Sequence, residues 1–207
     1  GFTLVEVLVT TVVIGVLAAV VLPALAKQTS AADPARVASD LNNIKMGIEL
    51  FSQNVRPEFP GDLEDLVREP NTTGSSASSG AGDLALDGGA YTATTVAGWQ
   101  GPYVAQMLTA AADASGNTSW PAGAAGFFEN DLKICDVSAS TACTAVTTGD
   151  GAFVTVQLNA LGATEAGSIN ETLDGESETS SSTSGMFRWT VVSGSSTGYY
   201  FTIPYTP

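Results

Sequence analysis

The chain opens with GFTLVEVLVTTVVIGVLAAVVLPAL (residues 1–25), and this stretch decides how the molecule is built. Its only charged residue is Glu6. The 24 residues from Phe2 to Leu25 would form about 36 Å of α-helix, enough to cross a hydrocarbon core of roughly 30 Å. A carboxylate is costly in such a helix, and charges in membrane helices usually have a function. The sequence therefore predicts a membrane-length helix in which Glu6 does more than anchor the chain.

An amphipathic stretch continues this helix over residues 29–56. Asp33 and Pro34 supply an N-cap residue followed by a proline at the first helical position, so we expect the helix to resume there. Gly47 would allow close packing, and Pro57 would end the helix. Apolar residues recur at three- and four-residue steps and form one stripe, which consists of Val37, Leu41, Ile44, Ile48 and Phe51. We expect this stripe to belong to the core of a folded head.

The head is predicted over residues 57–207, with a loop-rich part (57–130) and a β-rich part (131–207). Apolar, β-branched and aromatic residues predict strands at residues 152–158, 186–192 and 199–203. We expect Phe187, Trp189 and Val191 to share one face, with a loop over residues 193–198 before the last strand. A turn followed by a short helix is expected over residues 59–67, and another short helix over residues 103–112.

These parts combine into an α+β fold class. The hydrophobic half of the helix (1–28) would protrude, while the amphipathic half (29–56) would pack on an antiparallel sheet in the head (57–207).

Charge and composition exclude several functions for the head. The chain carries a formal net charge of −14 and contains no histidine. Residues 69–207 hold two basic residues, Lys133 and Arg188, against thirteen acidic ones, so the head would repel nucleic-acid phosphates. The usual general base and the commonest transition-metal ligand are both absent. No nucleophile elbow or phosphate loop is present either. We therefore expect a protein that is not an enzyme and that needs no cofactor.

Two cysteines, Cys135 and Cys143, lie eight residues apart. Outside the cytosol they would form a disulfide, which at this loop length stabilises by roughly 2–3 kcal/mol. The alternatives are two unpaired small hydrophobic residues or a metal or redox site. The chain lacks both a CxxC motif and histidine, so the disulfide is the prediction.

The hexapeptide Gly1-Phe2-Thr3-Leu4-Val5-Glu6 resembles the processing site of type IV pilins and type II secretion pseudopilins. In that family a prepilin peptidase cuts after a glycine, the new N-terminal phenylalanine is N-methylated, and a glutamate follows four residues later. The resemblance implies cleavage between Gly1 and Phe2, with Glu6 as the glutamate. Pro23 also falls where family members carry a helix-disrupting proline.

Two further segments resemble the same family, in the same order along the chain. Residues 59–67 read as a proline-led turn and a short helix after the long helix. Residues 99–103 read Trp-Gln-Gly-Pro-Tyr, similar to a segment of the major pseudopilins.

The resemblance implies a major pilin that polymerises through its N-terminal helix into an extracellular type IV pilus-like filament. Its partners would be identical subunits, the prepilin peptidase and an inner-membrane assembly machinery. The precursor would lie in the inner membrane and the product on the cell surface. One alternative is a pseudopilin in a periplasmic pseudopilus, which residues 99–103 favour. The other is a membrane-anchored binding module.

Elementary electrostatics agrees with a role for Glu6 in assembly. Cleavage would create a cationic amine at Phe2, and each charge is expensive alone in an apolar core but much less so when paired. An amine from a neighbouring subunit would therefore set the register of the filament. Gly15 and Pro23 bracket a stretch that, by the resemblance, loses helical structure in the filament; the alternative is a kinked but continuous helix.

Two weaker patterns concern the surface of the head. The turn with Asp174, Glu176 and Glu178 could hold calcium through clustered oxygens, but a solvated acidic turn is the preferred interpretation. Three N-glycosylation sequons begin at Asn71, Asn117 and Asn170. Such triplets arise by chance in sequences rich in serine and threonine, so they remain candidates only.

Overall fold

A computed structural model describes residues 1, 3–72, 83–105, 111–112, 118–122, 126–139, 141–147, 149, 151–192 and 194–206. The side chains of residues 20–33, 111–112, 118–122 and 192 are not described. The structure is α+β, with an N-terminal helix and an antiparallel sheet.

The long helix α1 extends from Leu4 to Asn54 without interruption. The expected restart at Asp33 is therefore wrong. Pro34 lies within the helix and is buried. A proline removes one backbone hydrogen bond, but the helix is continuous before and after it. The helix ends where predicted, just before Pro57, and the Val55 amide closes the last turn by donating to the Phe51 carbonyl oxygen at 2.9 Å.

The amphipathic half of α1 is fixed to the head by the predicted stripe. Its five members are at most 2% exposed: Val37, Leu41, Ile44, Ile48 and Phe51. Gly47 lies beside them, and a Cβ atom at that position would be 2.6 Å from Val104 Cγ2. The prediction of close packing at Gly47 is therefore confirmed.

Seven strands form one antiparallel sheet in the described chain. They are β1 (Ala111–Ala112), β2 (Thr118–Ala122), β3 (Gly126–Glu129), β4 (Lys133–Asp136), β5 (Ala152–Leu161), β6 (Phe187–Val192) and β7 (Ser195–Pro204). The strand order is β1-β2-β3-β5-β7-β6, and β4 also pairs with β5. Strand β5 is thus central, with β3 and β4 along one edge and β7 along the other.

The three predicted strands are confirmed as β5, β6 and β7, but the loop predicted over residues 193–198 is wrong. Val192 pairs directly with Ser195. Gly194 has a φ of 84°, which a glycine adopts without steric cost and which lets the chain reverse tightly. The expected shared face is confirmed, because β6 pairs with β7 without a register shift and residues two apart lie on the same face of a strand. Phe187 and Trp189 are buried on that face, whereas Val191, near the end of the strand, is 43% exposed.

Short helices complete the head. The segment after Pro60 forms a 3₁₀-helix, η1 (Leu63–Leu66), within the range predicted for a short helix. A four-residue helix, α2, spans Ala93–Val96. The helix expected over residues 103–112 is wrong at Ala111–Ala112, which pair with β2. A twelve-residue helix, α3 (Ala163–Asp174), was not predicted.

Helix α3 packs beside α1 and against β6 and β7. The core lies between these helices and the sheet, and its largest fully buried side chains include Trp189, Phe51, Phe128, Phe187 and Phe201.

Candidate assembly site on the N-terminal helix

Helix α1 begins with a side-chain cap that also positions Glu6. Thr3 is the N-cap residue, and its Oγ1 accepts a hydrogen bond from the Glu6 amide at 3.2 Å. Thr3 and Glu6 have the spacing of a capping box, Thr-x-x-Glu, which the sequence analysis did not use. An acidic side chain in the first turn also interacts favourably with the helix dipole. Glu6 therefore has a local role in addition to any role in assembly.

The apolar residues that follow protrude from the head. Ten large side chains between Leu4 and Leu17 are each more than half exposed, from 51% at Val13 to 82% at Leu4. A helix that is apolar all round is normally buried, and exposed apolar surface of this extent marks an interaction site.

The two threonines within this segment satisfy their own hydroxyl groups. Thr10 Oγ1 donates to the Val7 carbonyl oxygen at 2.8 Å, and Thr11 Oγ1 donates to the Leu8 carbonyl oxygen at 2.9 Å. Among the described side chains of residues 4–19, this leaves the Glu6 carboxylate as the polar group without a hydrogen-bonding or charged partner.

The predicted processing residues are only partly described. Gly1 is exposed, and its amine forms no ion pair with Glu6. Phe2 lies outside the described residues. In the part of the chain that the structure covers, no helix combines the length and the apolar character required to cross a membrane.

The two residues predicted to permit local melting both lie within the continuous α1. A Cβ atom at Gly15 would have no heavy atom within 4 Å, so no packing contact in the subunit requires a glycine there. Pro23 is within the helix, but its side chain is not described.

The disulfide prediction is confirmed. Cys135 on β4 is bonded to Cys143, with their Cα atoms 5.3 Å apart. The closed loop is held to the sheet by Arg188 on β6, whose Nη1 donates to the Ala139 carbonyl oxygen at 2.9 Å and whose Nη2 donates to the Val137 carbonyl oxygen at 2.6 Å.

The weak calcium candidates have structural contacts instead. Asp174 accepts hydrogen bonds from the amides of Met186 (3.1 Å) and Phe187 (2.8 Å), and Glu176 accepts one from the Ser184 hydroxyl at 3.2 Å. Glu178 is half-buried. Within the described residues, no three acidic or cysteine side chains are grouped closely enough to hold a metal ion.

The glycosylation candidates differ in accessibility. Asn71 is exposed. Asn170 is fully buried, and its Nδ2 donates to the Glu176 carbonyl oxygen at 3.0 Å, which argues against a glycan there in the folded head. Asn117 lies outside the described residues.

The Trp99–Tyr103 segment packs where α1 ends. Trp99 Nε1 donates to the Asp65 carbonyl oxygen at 3.0 Å, and the Tyr103 hydroxyl accepts from Asn54 Nδ2 at 3.1 Å. The Tyr103 amide donates to the Leu66 carbonyl oxygen at 2.7 Å. The segment thus fastens η1 and the last turn of α1 together.

A pair of buried carboxyl groups, Asp62 and Asp65, lies at the same junction, and each residue is 1% exposed. The sequence analysis missed this pair, although the spacing Asp-x-x-Asp directly after Gly61 is visible in the sequence.

No protein-family model matches the chain, and neither the curated proteins nor the solved structures contain one with detectable similarity to it.

Proposed function

We propose that this chain is a structural subunit, a major pilin, that polymerises through the N-terminal part of α1 into an extracellular type IV pilus-like filament. The observation that carries the proposal is the protruding, apolar N-terminal segment of α1, whose one polar side chain without a described partner is Glu6. The prepilin-type hexapeptide at residues 1–6 supports the same conclusion.

The exposed apolar surface is large enough to support association. Complete burial of a valine, leucine or isoleucine stabilises by about 1.5–3 kcal/mol. Since these side chains are already partly covered by their own helix, the remaining gain is about 1 kcal/mol each, or on the order of 10 kcal/mol for the segment. This gain is comparable with the free-energy cost of association, roughly 4–15 kcal/mol. Contacts between neighbouring helices would therefore hold a subunit in the filament against release into water.

Glu6 would supply register rather than cohesion. Within an apolar polymer core its carboxylate requires a cationic partner, since an unpaired buried charge is strongly destabilising. The Phe2 amine of a neighbouring subunit, exposed by cleavage after Gly1, is the partner that the resemblance implies. Pairing at one axial position would reject packings in which the helices slide past one another.

Gly15 and Pro23 would let the same helix lengthen in the filament. Glycine weakens a helix by roughly 1 kcal/mol relative to alanine, and proline by about 3 kcal/mol. At Gly15 no described packing contact within the subunit requires a glycine, so nothing there offsets its cost. Local melting of the helix would therefore begin in the stretch between Gly15 and Pro23.

The subunit would first lie in the inner membrane, where a prepilin peptidase and an assembly machinery act on it, and then leave the membrane for the filament. The acidic heads would form the outer surface. A pseudopilin of a periplasmic pseudopilus is the second candidate, supported by the Trp99–Tyr103 segment and its place beside η1.

The two candidates differ in where the polymer is found. Filaments of this chain in material sheared from the cell surface support the pilin. Recovery only from the periplasm, together with loss of protein secretion when the chain is deleted, supports the pseudopilin. Exclusively membrane-bound monomer would contradict both and favour an anchored binding module.

The role of Glu6 is tested by Glu6→Gln in a host that supplies the peptidase and the assembly machinery. Glutamine retains the length of the side chain and satisfies the capping-box pattern, so it removes the charge while preserving the helix cap. We expect few or no filaments in electron micrographs of the sheared fraction, with normal levels of processed subunit in the membrane. Glu49→Gln, on the amphipathic half of α1, is the matched control. Wild-type filament yield from Glu6→Gln would overturn the proposed role.

A further inference from the structure

The Asp62–Asp65 pair is buried at the start of η1. Of the two carboxyl groups, Asp65 accepts more hydrogen bonds from the protein. Its Oδ2 accepts hydrogen bonds from the Gly61 amide at 3.0 Å, the Asp62 amide at 3.3 Å and the Tyr91 hydroxyl at 2.8 Å. Asp62 Oδ1 accepts from Asn130 Nδ2 at 3.3 Å. Hydrogen bonds to a carboxylate favour its ionised form.

The pair joins three segments that are distant in sequence. The Leu63 amide donates to the Asn130 carbonyl oxygen, and the Leu132 amide donates to the Gly61 carbonyl oxygen, both at 2.9 Å. These bonds attach η1 to the turn between β3 and β4. Tyr91 connects the third segment, and its ring contacts Phe51 of α1 with centroids 6.2 Å apart. The pair is therefore directly beneath the end of α1.

The charged groups that face the pair do not neutralise it. Asp83 and Asp131 add further negative charge. Arg68 is the cation among these neighbours, but its side chain is 67% exposed and its guanidinium forms an ion pair with Glu64. Two uncompensated carboxylates cannot both remain ionised in a buried site at low cost, because burial and mutual repulsion favour the protonated form.

Unsatisfied acceptors indicate where a proton would be stabilised. Asp65 Oδ1 and Asn130 Oδ1 are buried and have no hydrogen-bond donor in the described part of the molecule. A protonated Asp62 adds a donor to a cluster that is short of donors. Burial, followed by the charge of Asp65, raises the pKa of Asp62 to about 9. Burial also raises the pKa of Asp65, to about 7, against the lowering effect of the Tyr91 hydroxyl.

We propose that Asp62 and Asp65 form a pH-sensitive switch, in which a proton held chiefly by Asp62 keeps η1 attached to the head and its loss at alkaline pH loosens the junction beneath α1. In the unfolded chain both groups have a pKa near 3.9. Because the folded-state values are raised, the stability that the proton contributes is complete at acidic pH. It declines as the pH rises above the unfolded-state value, and it is lost once the pH exceeds the folded-state values, about 7 for Asp65 and about 9 for Asp62.

The test uses the full chain in detergent micelles, with urea unfolding followed by tryptophan fluorescence between pH 5 and pH 10. For the wild type we expect the urea midpoint to fall as the pH rises from 5 to 9 and to level off above that. Asp62→Asn, which mimics the protonated group, should lose most of this dependence and exceed the wild type in urea midpoint at pH 9. Asp40→Asn, at the Arg36 ion pair on α1, is the matched control and should behave as the wild type.

Infrared difference spectroscopy provides a measurement that does not depend on the stability of the variants. At pH 8, where Asp65 (pKa about 7) is mostly ionised and Asp62 (pKa about 9) is mostly protonated, the wild type should show the carbonyl band of a protonated carboxylic acid, which Asp62→Asn largely removes and Asp40→Asn retains. Absence of that band in the wild type would overturn the proposal. Strong stabilisation by millimolar calcium in the wild type but not in Asp62→Asn would also overturn it, since the pair would then bind a cation rather than a proton.

Discussion

The Tyr200 hydroxyl on β7 donates a hydrogen bond to Asn42 Oδ1 on α1 across 3.0 Å. The bond joins residues 158 positions apart in the sequence and fixes how α1 is rotated about its axis on the sheet. With that rotation set, the predicted stripe faces the core, and Met46 and Leu50 remain on the outer side of the helix, 60% and 46% exposed.

Tyr200→Phe should therefore reduce the stability of the head by about 1 kcal/mol, the usual net contribution of one hydrogen bond. The phenyl ring keeps its packing, so the change isolates the hydroxyl group. Urea unfolding of the variant and the wild type measures the difference. An unchanged midpoint would mean that the bond does not help to fix α1.

Gly47→Ala should destabilise the head, by about 1–3 kcal/mol, despite the higher helix propensity of alanine. The added methyl group would lie 2.6 Å from Val104 Cγ2, so the segment after Tyr103 would have to move. Gly15→Ala is the matched control, because its methyl group enters open space. Unfolding midpoints should fall for Gly47→Ala and stay level or rise for Gly15→Ala; equal behaviour of the two would contradict the packing argument.

Removal of the disulfide by Cys135→Ser with Cys143→Ser should cost roughly 2–3 kcal/mol. Arg188→Met should cost less in this background than in the oxidised protein, because the carbonyl oxygens of Val137 and Ala139 are then held less firmly in place. A double-mutant cycle from urea unfolding measures the coupling between loop closure and Arg188. Additive losses would show that the two act independently.

Tyr91→Phe should increase the pH dependence of stability. The Tyr91 hydroxyl lowers the pKa of Asp65, so its removal raises the folded-state pKa further above the unfolded value. Stability that is present at acidic pH and lost as the pH rises then declines over a wider pH range. The drop in urea midpoint between pH 5 and pH 9 should exceed that of the wild type, whereas Tyr103→Phe should lose stability equally at both pH values. A smaller drop in Tyr91→Phe would contradict the assigned hydrogen bond.

Local patterns in the sequence predicted the elements whose residues repeat with a clear period. The stripe on α1, the strands β5 to β7 and the short turn of helix after Pro60 are of this kind, because alternation and helical spacing directly reflect which side faces the core. The cysteine spacing likewise predicted the disulfide.

Helix α3 escaped prediction because its residues, ATEAGSINETLD, carry little apolar periodicity. It is held by tertiary contacts: Ala166 and Ile169 are completely buried, and Asp174 at its end accepts the Met186 and Phe187 amides. The Asp62–Asp65 pair was missed for a related reason. Its burial depends on Tyr91 and Asn130, which lie 26 and 68 residues away, and no local pattern encodes such contacts.

Because Thr10 and Thr11 form hydrogen bonds within α1, neither hydroxyl group in residues 4–19 needs a partner from outside the helix. Moving this segment from lipid to protein surroundings would neither make nor break a hydrogen bond at either threonine. Lipid acyl chains are also about as apolar as the side chains that would replace them. The partition of residues 4–19 between the two surroundings would consequently be close to neutral, apart from Glu6. In the proposed polymer the single ionisable group, Glu6, would then bias that partition, so entry into the polymer would be adjustable through one charge.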